Sequence, residues 1–286
     1  MSSIRVVSPT MIDTIRTCPL KARYRYVERL PERAKSGALV LGIAVDVAAK
    51  HIVHGLRSGE MKYGAVSAGE VLERAWAEEI AKAKDVEINW GERGSEEKAR
   101  ATALALLTAF GQLPDLRQRI DRIVEIDVRF EIPVPDPETG MPRPDVAVQG
   151  VLDFIERRPD GRVRPLDLKT AASRAGYEPE DMAVHLQGAL YVVALREKYG
   201  DQAADEFAVL LGVKVKVPVW EDRLASLGPS AQRRALLTAL HAKRLLDLGV
   251  AYPVKSWACP SCPYAVPCAS WQDSPAAELR RDPFAA

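Results

Sequence analysis

Apolar residues recur with two different periods along the chain, and the switch between them divides it. Ser8-Pro9 has the form of an N-cap followed by proline at the first helical position, and Met11, Ile12 and Ile15 then follow at helical spacing. A second apolar helix is predicted over 41–56, with Val45, Ala48, Ala49, Ile52 and Val53 on it. The stretches from about Ser67 to Val86 and from Glu96 to Phe110 are alanine-rich and helix-prone, and INWGERGSEE interrupts them. The period then becomes two: Val124, Ile126, Val128, Phe130 and Ile132 alternate with Glu125, Asp127, Arg129 and Glu131, which predicts a half-buried strand. PDPETGMPRPD reads as a turn-rich connector, VAVQGVLDFIERR as a second strand, PDGR as a tight turn and VRPLDLKT as a third strand. A helix over about 179–199, one apolar strand in FAVLLGVKVKVPVW and a helix over about 230–248 complete the series. The predicted core order of helix, three strands, helix and strand indicates an α/β domain. It is one domain over 1–286, with a helical insertion over 57–118 and a core sheet over 119–220.

A hydrophobic fraction of 47% with 28% charged residues is that of an ordinary globular protein. No apolar run approaches a membrane span and the N-terminus lacks a signal peptide's apolar stretch, so a cytoplasmic protein with no membrane partner is expected. The formal charge is +1, so any nucleic-acid contact has to come from a local basic patch.

Two carboxylates stand out because of the elements that carry them. Asp153 and Asp167 fall on adjacent predicted strands, and Lys169 shares a strand face with Asp167 by alternation. An Asp-x-Lys pair alone usually marks a solvated face with a weak ion pair. A hairpin that adds Asp153 makes a group able to hold one or two hard divalent cations, with an ammonium to offset charge developing on a phosphate.

Of four cysteines, Cys18 stands alone while Cys259, Cys262 and Cys268 are clustered in WACPSCPYAVPC. Such clustering favours a metal or cluster site over disulfides in a reducing compartment. Spacing alone leaves tetrahedral zinc and a four-thiolate 4Fe–4S cluster both open.

The pattern GVLDFIERRPDGRVRPLDLKT, followed by Gln187 and Tyr191, resembles the PD-(D/E)XK nuclease superfamily. More narrowly, with SPTMIDTIRTCPLKARYRYVERL at the start and C-x-x-C-x-x-x-x-x-C at the end, the chain is similar to the RecB-like branch. That branch includes the AddB nuclease domain and the CRISPR-associated RecB-like exonucleases. The resemblance implies a central mixed sheet flanked by helices. It also implies a 4Fe–4S cluster on Cys18, Cys259, Cys262 and Cys268 that joins the two ends of the chain. Asp153 and Asp167 become ligands for magnesium or manganese, the backbone carbonyl of Leu168 a third, and Lys169 the catalytic lysine. Gln187 and Tyr191, one helical turn apart, match the family's Gln-x-x-x-Tyr; their alternative reading is helix packing.

The family usually carries Gly-x-x-x-His on an early helix, with the histidine on the metal. Here Gly42 is followed by Asp46, an oxygen donor that still suits a hard cation. His51 is a weaker substitute, and His54, His185 and His241 have no motif support. Beside Cys18, the run Lys21, Arg23, Tyr24, Arg25 and Tyr26 reads equally as a single-strand-binding patch or as an amphipathic helix with exposed arginines.

The implied activity is metal-dependent exonucleolytic cleavage of single-stranded DNA or DNA ends, in recombination, repair, phage replication or CRISPR adaptation. G-x-x-x-x-G-K-[ST] is absent, so unwinding needs a helicase or other partner. The alternatives are a catalytically inactive RecB-like subunit for DNA binding or complex assembly, which Asp46 favours, and a zinc-stabilised nucleic-acid-binding protein. The Asp153, Asp167 and Lys169 set argues against the inactive subunit, and brown colour with broad visible absorption would separate a cluster from zinc.

Overall fold

A computed structural model describes residues 5–62, 68–83, 86–91, 94–256 and 258–273. Elements are numbered in chain order. β1 (Val6–Val7) leads into α1 (Pro9–Thr17), whose Ser8 hydroxyl accepts from Met11 N at 3.1 Å, as the Ser-Pro start predicts. α2 (Pro19–Ala22), a π-helical turn (Arg23–Val27) and β2 (Ala34–Ser36) precede α3 (Gly37–Ser58). Next come α4 (Ala68–Lys82), β3 (Glu87–Asn89), α5 (Glu96–Gly111) and α6 (Leu116–Arg122). Ser67, the expected start of α4, lies outside the described residues, as does the tail beyond 273.

The long hairpin of β4 (Ile123–Pro135) and β5 (Pro142–Arg157) is followed by β6 (Val163–Ala171), α7 (Pro179–Met182), α8 (Leu186–Tyr199), β7 (Glu206–Val213) and β8 (Val219–Ser226). α9 (Pro229–Asp247) and α10 (Ala265–Ala269) close the series. The strands form one mixed six-stranded sheet in the order β1-β5-β6-β7-β8, with β4 on the other edge of β5. β6 and β7 are parallel and the β4–β5, β5–β6 and β7–β8 pairs antiparallel.

Helices cover both faces. Phe207, Val209, Leu211 and Val213 of β7 pack on one side with residues of α1, α8 and α9, while Ala208 and Leu210 pack on the other with α3 and α5. A strand buried on both faces explains the unbroken apolar run of β7. α3 has a mean hydropathy of 1.6 over its best window, enough by length and composition to cross a membrane, contrary to the sequence expectation. Here that hydropathy serves a core helix: Val40, Ala44, Val45, Ala48 and Ile52 are buried.

Several elements differ from expectation. FAVLLGVKVKVPVW is not one strand: the chain turns between Val213 and Val219, where the Lys214 amide donates to Ala171 O at 2.9 Å and Pro218 supplies no amide donor. The predicted helix over 179–199 breaks into α7 and α8, because His185 leaves the helical conformation and its Nδ1 accepts from Gly188 N at 3.0 Å. β5 begins at Pro142, inside the expected connector. The remaining turn is closed by the Asp136 carboxylate, which accepts from Glu138 N and Thr139 N at 3.0 and 3.1 Å. β2 and β3 pair in parallel across α3 and α4, and α6 and β1 add to the fold; none of these short elements has a periodic signal.

Candidate active site

The site lies where two strands part. β5 and β6 pair from Arg157↔Val163 up to Phe154↔Leu166, and there the ladder ends. β6 continues beside β7 alone, through Asp167↔Val209 and Lys169↔Leu211, while the other end of β5 runs on beside β4 and β1. Asp153 and Asp167 are the first residues past the fork. The Asp153 carboxylate bridges it, accepting from Leu168 N at 2.9 Å in place of the missing ladder bond. Leu166 and Leu168 of β6 pack toward α3, so alternation sends Asp167 and Lys169 to the opposite face, toward α8.

Asp167 is 1% exposed and its Oδ2 forms an ion pair with the Lys169 ammonium. Oδ1 of Asp46 is a buried oxygen with no hydrogen-bond partner. Burial pushes the Asp167 carboxyl up, partly opposed by Lys169 and reinforced by Asp153. Burial, with Asp153 beside it, also raises the Asp46 carboxyl. Asp153 is held below the ordinary value despite its own burial, by Lys50 and Lys169 together. Lys169 is raised despite burial, because Asp167 and Asp153 face it.

Lys50 is the feature that sequence reasoning missed. Its ammonium reaches Asp46 Oδ2 at 3.0 Å, Asp127 Oδ1 at 2.9 Å and Asp153 Oδ1 at 2.7 Å. Asp153 and Asp46 raise its pKa against the opposing effect of burial. Asp127, seen in the sequence only as a polar member of an alternating strand, adopts φ of 52° on β4, between the pairs Ile126↔Phe154 and Val128↔Leu152. A left-handed backbone in a non-glycine strand residue costs on the order of 1 kcal/mol or more, and here it accompanies delivery of a carboxylate to Lys50. The i,i+4 spacing of Asp46 and Lys50 was the available signal for the lysine.

Gln187 Nε2 donates to the Tyr191 hydroxyl at 2.6 Å. The Tyr191 ring is buried edge-to-face against Phe130 and Phe207, at centroid distances of 5.7 and 6.1 Å. Its hydroxyl is raised chiefly by burial and next by Asp167, which places packing and site electrostatics in one side chain. Tyr177, half-buried, is also raised by burial and sits in the fields of Lys169 and Asp167. His51, His54 and His241 are exposed; His185 caps α8.

The cysteines collect at the opposite chain ends. Cys18, Cys259, Cys262 and Cys268, with Lys21, Lys255 and other residues, line one cavity of about 360 Å³. Burial raises the Cys268 thiol, and the other three thiols raise it further. The walls are tied to each other directly: Leu20 N donates to Tyr252 O at 3.1 Å and Tyr24 OH to Pro267 O at 3.1 Å. Tyr24 is 7% exposed and packs on Tyr264, so the ring proposed for base stacking is part of this joint rather than of a free surface. Arg23 and Arg25 pair with Glu28 and Glu32. Among the described residues, no three Cys, His, Asp or Glu side chains are gathered closely enough to hold a metal ion as they stand, at either location.

A mixed sheet that forks at two aspartates, with a lysine two positions past the second, defines a class of phosphodiester-cleaving folds. The profile of the PD-(D/E)XK nuclease superfamily matches residues 6–269, and the chain belongs to that superfamily. Among solved structures, it is similar to a protein from Eubacterium rectale provisionally named an exonuclease. The two are 15% identical over 91% of this chain and 88% of that one, with a TM-score of 0.54, a likeness of fold. A second structure, SSO0001, is 12% identical over 91% and 94% of the two chains at a TM-score of 0.37. No curated protein sequence matches the chain.

Proposed function

We propose that the chain is a magnesium- or manganese-dependent deoxyribonuclease of the RecB-like branch, acting as an exonuclease on single-stranded DNA or DNA ends. The observation that supports it best is the meeting of Asp153, Asp167 and Lys169 at the fork of β5 and β6, with Asp167 Oδ2 paired to Lys169 and Asp46 Oδ1 buried without a hydrogen-bond partner. These oxygens are the hard donors a divalent cation prefers. Asp46, Asp153 and Asp167 would hold it, with the Leu168 carbonyl as a further ligand. The cation would polarise the scissile phosphate and lower the pKa of a bound water. Lys169 orients that water and offsets negative charge on the phosphate oxygens. Gln187 and Tyr191, bonded to each other on α8, would help orient the lysine and the DNA.

Cys18, Cys259, Cys262 and Cys268 suit a 4Fe–4S cluster, since four thiols from both chain ends face one cavity and the other three help raise the Cys268 thiol. In this reading 1–286 is one cytoplasmic nuclease domain with 57–118 as a helical insertion. It serves recombination, repair, phage replication or CRISPR adaptation, beside a helicase where unwinding is needed.

The test is incubation of anaerobically purified protein with end-labelled single- and double-stranded DNA in magnesium, manganese or chelator, with Lys169→Ala and Asp153→Ala in parallel. The expected result is metal-dependent digestion from ends that falls at least about 10²-fold in each variant, the scale of a lost electrostatic or proton-transfer group. A folded wild type that cuts neither substrate with either metal would overturn the enzyme reading in favour of a binding or assembly subunit.

A further inference from the structure

An ammonium has three N–H donors and no acceptor. Lys50 directs its ammonium at three separate carboxylates, Asp46, Asp127 and Asp153, at 2.7–3.0 Å. Its side chain is 13% exposed, so a coordination shell that would otherwise be water is built from protein oxygens. The three acids come from α3, β4 and β5, and the β4 member sits at positive φ. This is a built cation position, and the cation in it is tethered to the backbone.

The same carboxylates would have to serve a divalent ion. Asp46 gives Oδ2 to Lys50 and keeps Oδ1 buried without a hydrogen-bond partner, while Asp167, an acid that Lys50 does not touch, pairs through Oδ2 with Lys169. Two-metal nucleases place their ions about 3.5–4 Å apart, on shared carboxylates. One cation place is filled here by Lys50, and what it leaves is Asp46 Oδ1 and the Asp167 carboxylate.

We infer that Lys50 stands permanently where a second divalent cation would bind, so that this chain takes up a single metal ion per active site and uses a lysine as its other cation. Lys50 is thus a positioning residue: it acts through Asp46, whose Oδ1 it leaves for the metal, and through Asp153, which it holds at Oδ1 while Oδ2 accepts from Leu168 N. The inference rests on the metal-dependent nuclease reading.

The experiment is manganese binding to the metal-free active site of the whole chain, followed by equilibrium dialysis and by electron paramagnetic resonance, with iron and zinc counted separately. Wild type is expected to bind one Mn²⁺ per chain. Lys50→Met, which frees three carboxylates, is expected to bind two, with spin–spin broadening between neighbouring ions. Lys50→Arg, which keeps a cation there, is expected to stay at one. Two ions in wild type that digests DNA overturn this inference alone, and so does a folded Lys50→Met that stays at one. No binding and no digestion by wild type overturns the nuclease reading and this inference with it. The wild-type titration decides the matter even if Lys50→Met fails to fold.

Discussion

His185 ties the stability of the catalytic half of the sheet to pH. Its Nδ1 accepts the Gly188 amide at 3.0 Å, its ring stacks on Phe207 at 5.1 Å, and burial with Lys169 nearby lowers its pKa from 6.5 to about 4. A protonated ring cannot accept that hydrogen bond. Because the folded value is the lower one, the unfolded chain takes up the proton first. The contribution is therefore complete above about pH 6.5 and is lost as pH falls toward 4. The full gap corresponds to at most about 3 kcal/mol, of which about 2.5 kcal/mol is lost between pH 7.5 and 4.5. His185→Asn keeps a good capping acceptor and removes the titration. Asp46 and Asp167, whose raised values act in the opposite sense, are common to both proteins and cancel in the comparison. Urea unfolding at the two pH values should show wild type losing about 2.5 kcal/mol more than the variant. Equal losses would refute the neutral, capping role of His185.

Two further outcomes follow from close packing and from the thiol cavity. A Cβ on Gly188 would lie 2.3 Å from the Phe207 ring, so Gly188→Ala should push α8 off β7, cost about 1–3 kcal/mol in thermal or urea unfolding, and depress DNA digestion by shifting Tyr191. With the proposed 4Fe–4S cluster, anaerobically purified protein should be brown with broad visible absorption, and Cys268→Ser should abolish both and lower the iron content. A colourless wild type with stoichiometric zinc would replace the cluster with a tetrahedral zinc site.

Local periodicity made much of this architecture legible in the sequence. The Ser8 cap, the buried stripe of α3, the alternation of β4 and the placement of Asp153, Asp167 and Lys169 on neighbouring strands all follow from side-chain spacing within one element. What stayed hidden depends on contacts between elements. The break between α7 and α8 needs Phe207 and the histidine cap, and the β7–β8 turn sits inside an apolar run that spacing reads as continuous. Lys50 shows the limit most sharply. Its partner one helical turn away is visible in the sequence, but Asp153 lies 103 positions further on, and only the folded sheet brings the two together. The burial of Tyr24 depends on such contacts too, since Tyr264 and Pro267 come from the far end of the chain.

The joint between Tyr24 and Pro267 closes over 243 positions of chain. On a ribosome that adds ~5–20 residues per second, the first wall of the cysteine cavity emerges roughly 10–50 s before the second. Cys18 spends that interval without its three companions. Any cofactor that takes thiols from both walls is therefore a post-synthetic addition, and its loading reports that the chain has been made through Cys268 and folded back on its own beginning.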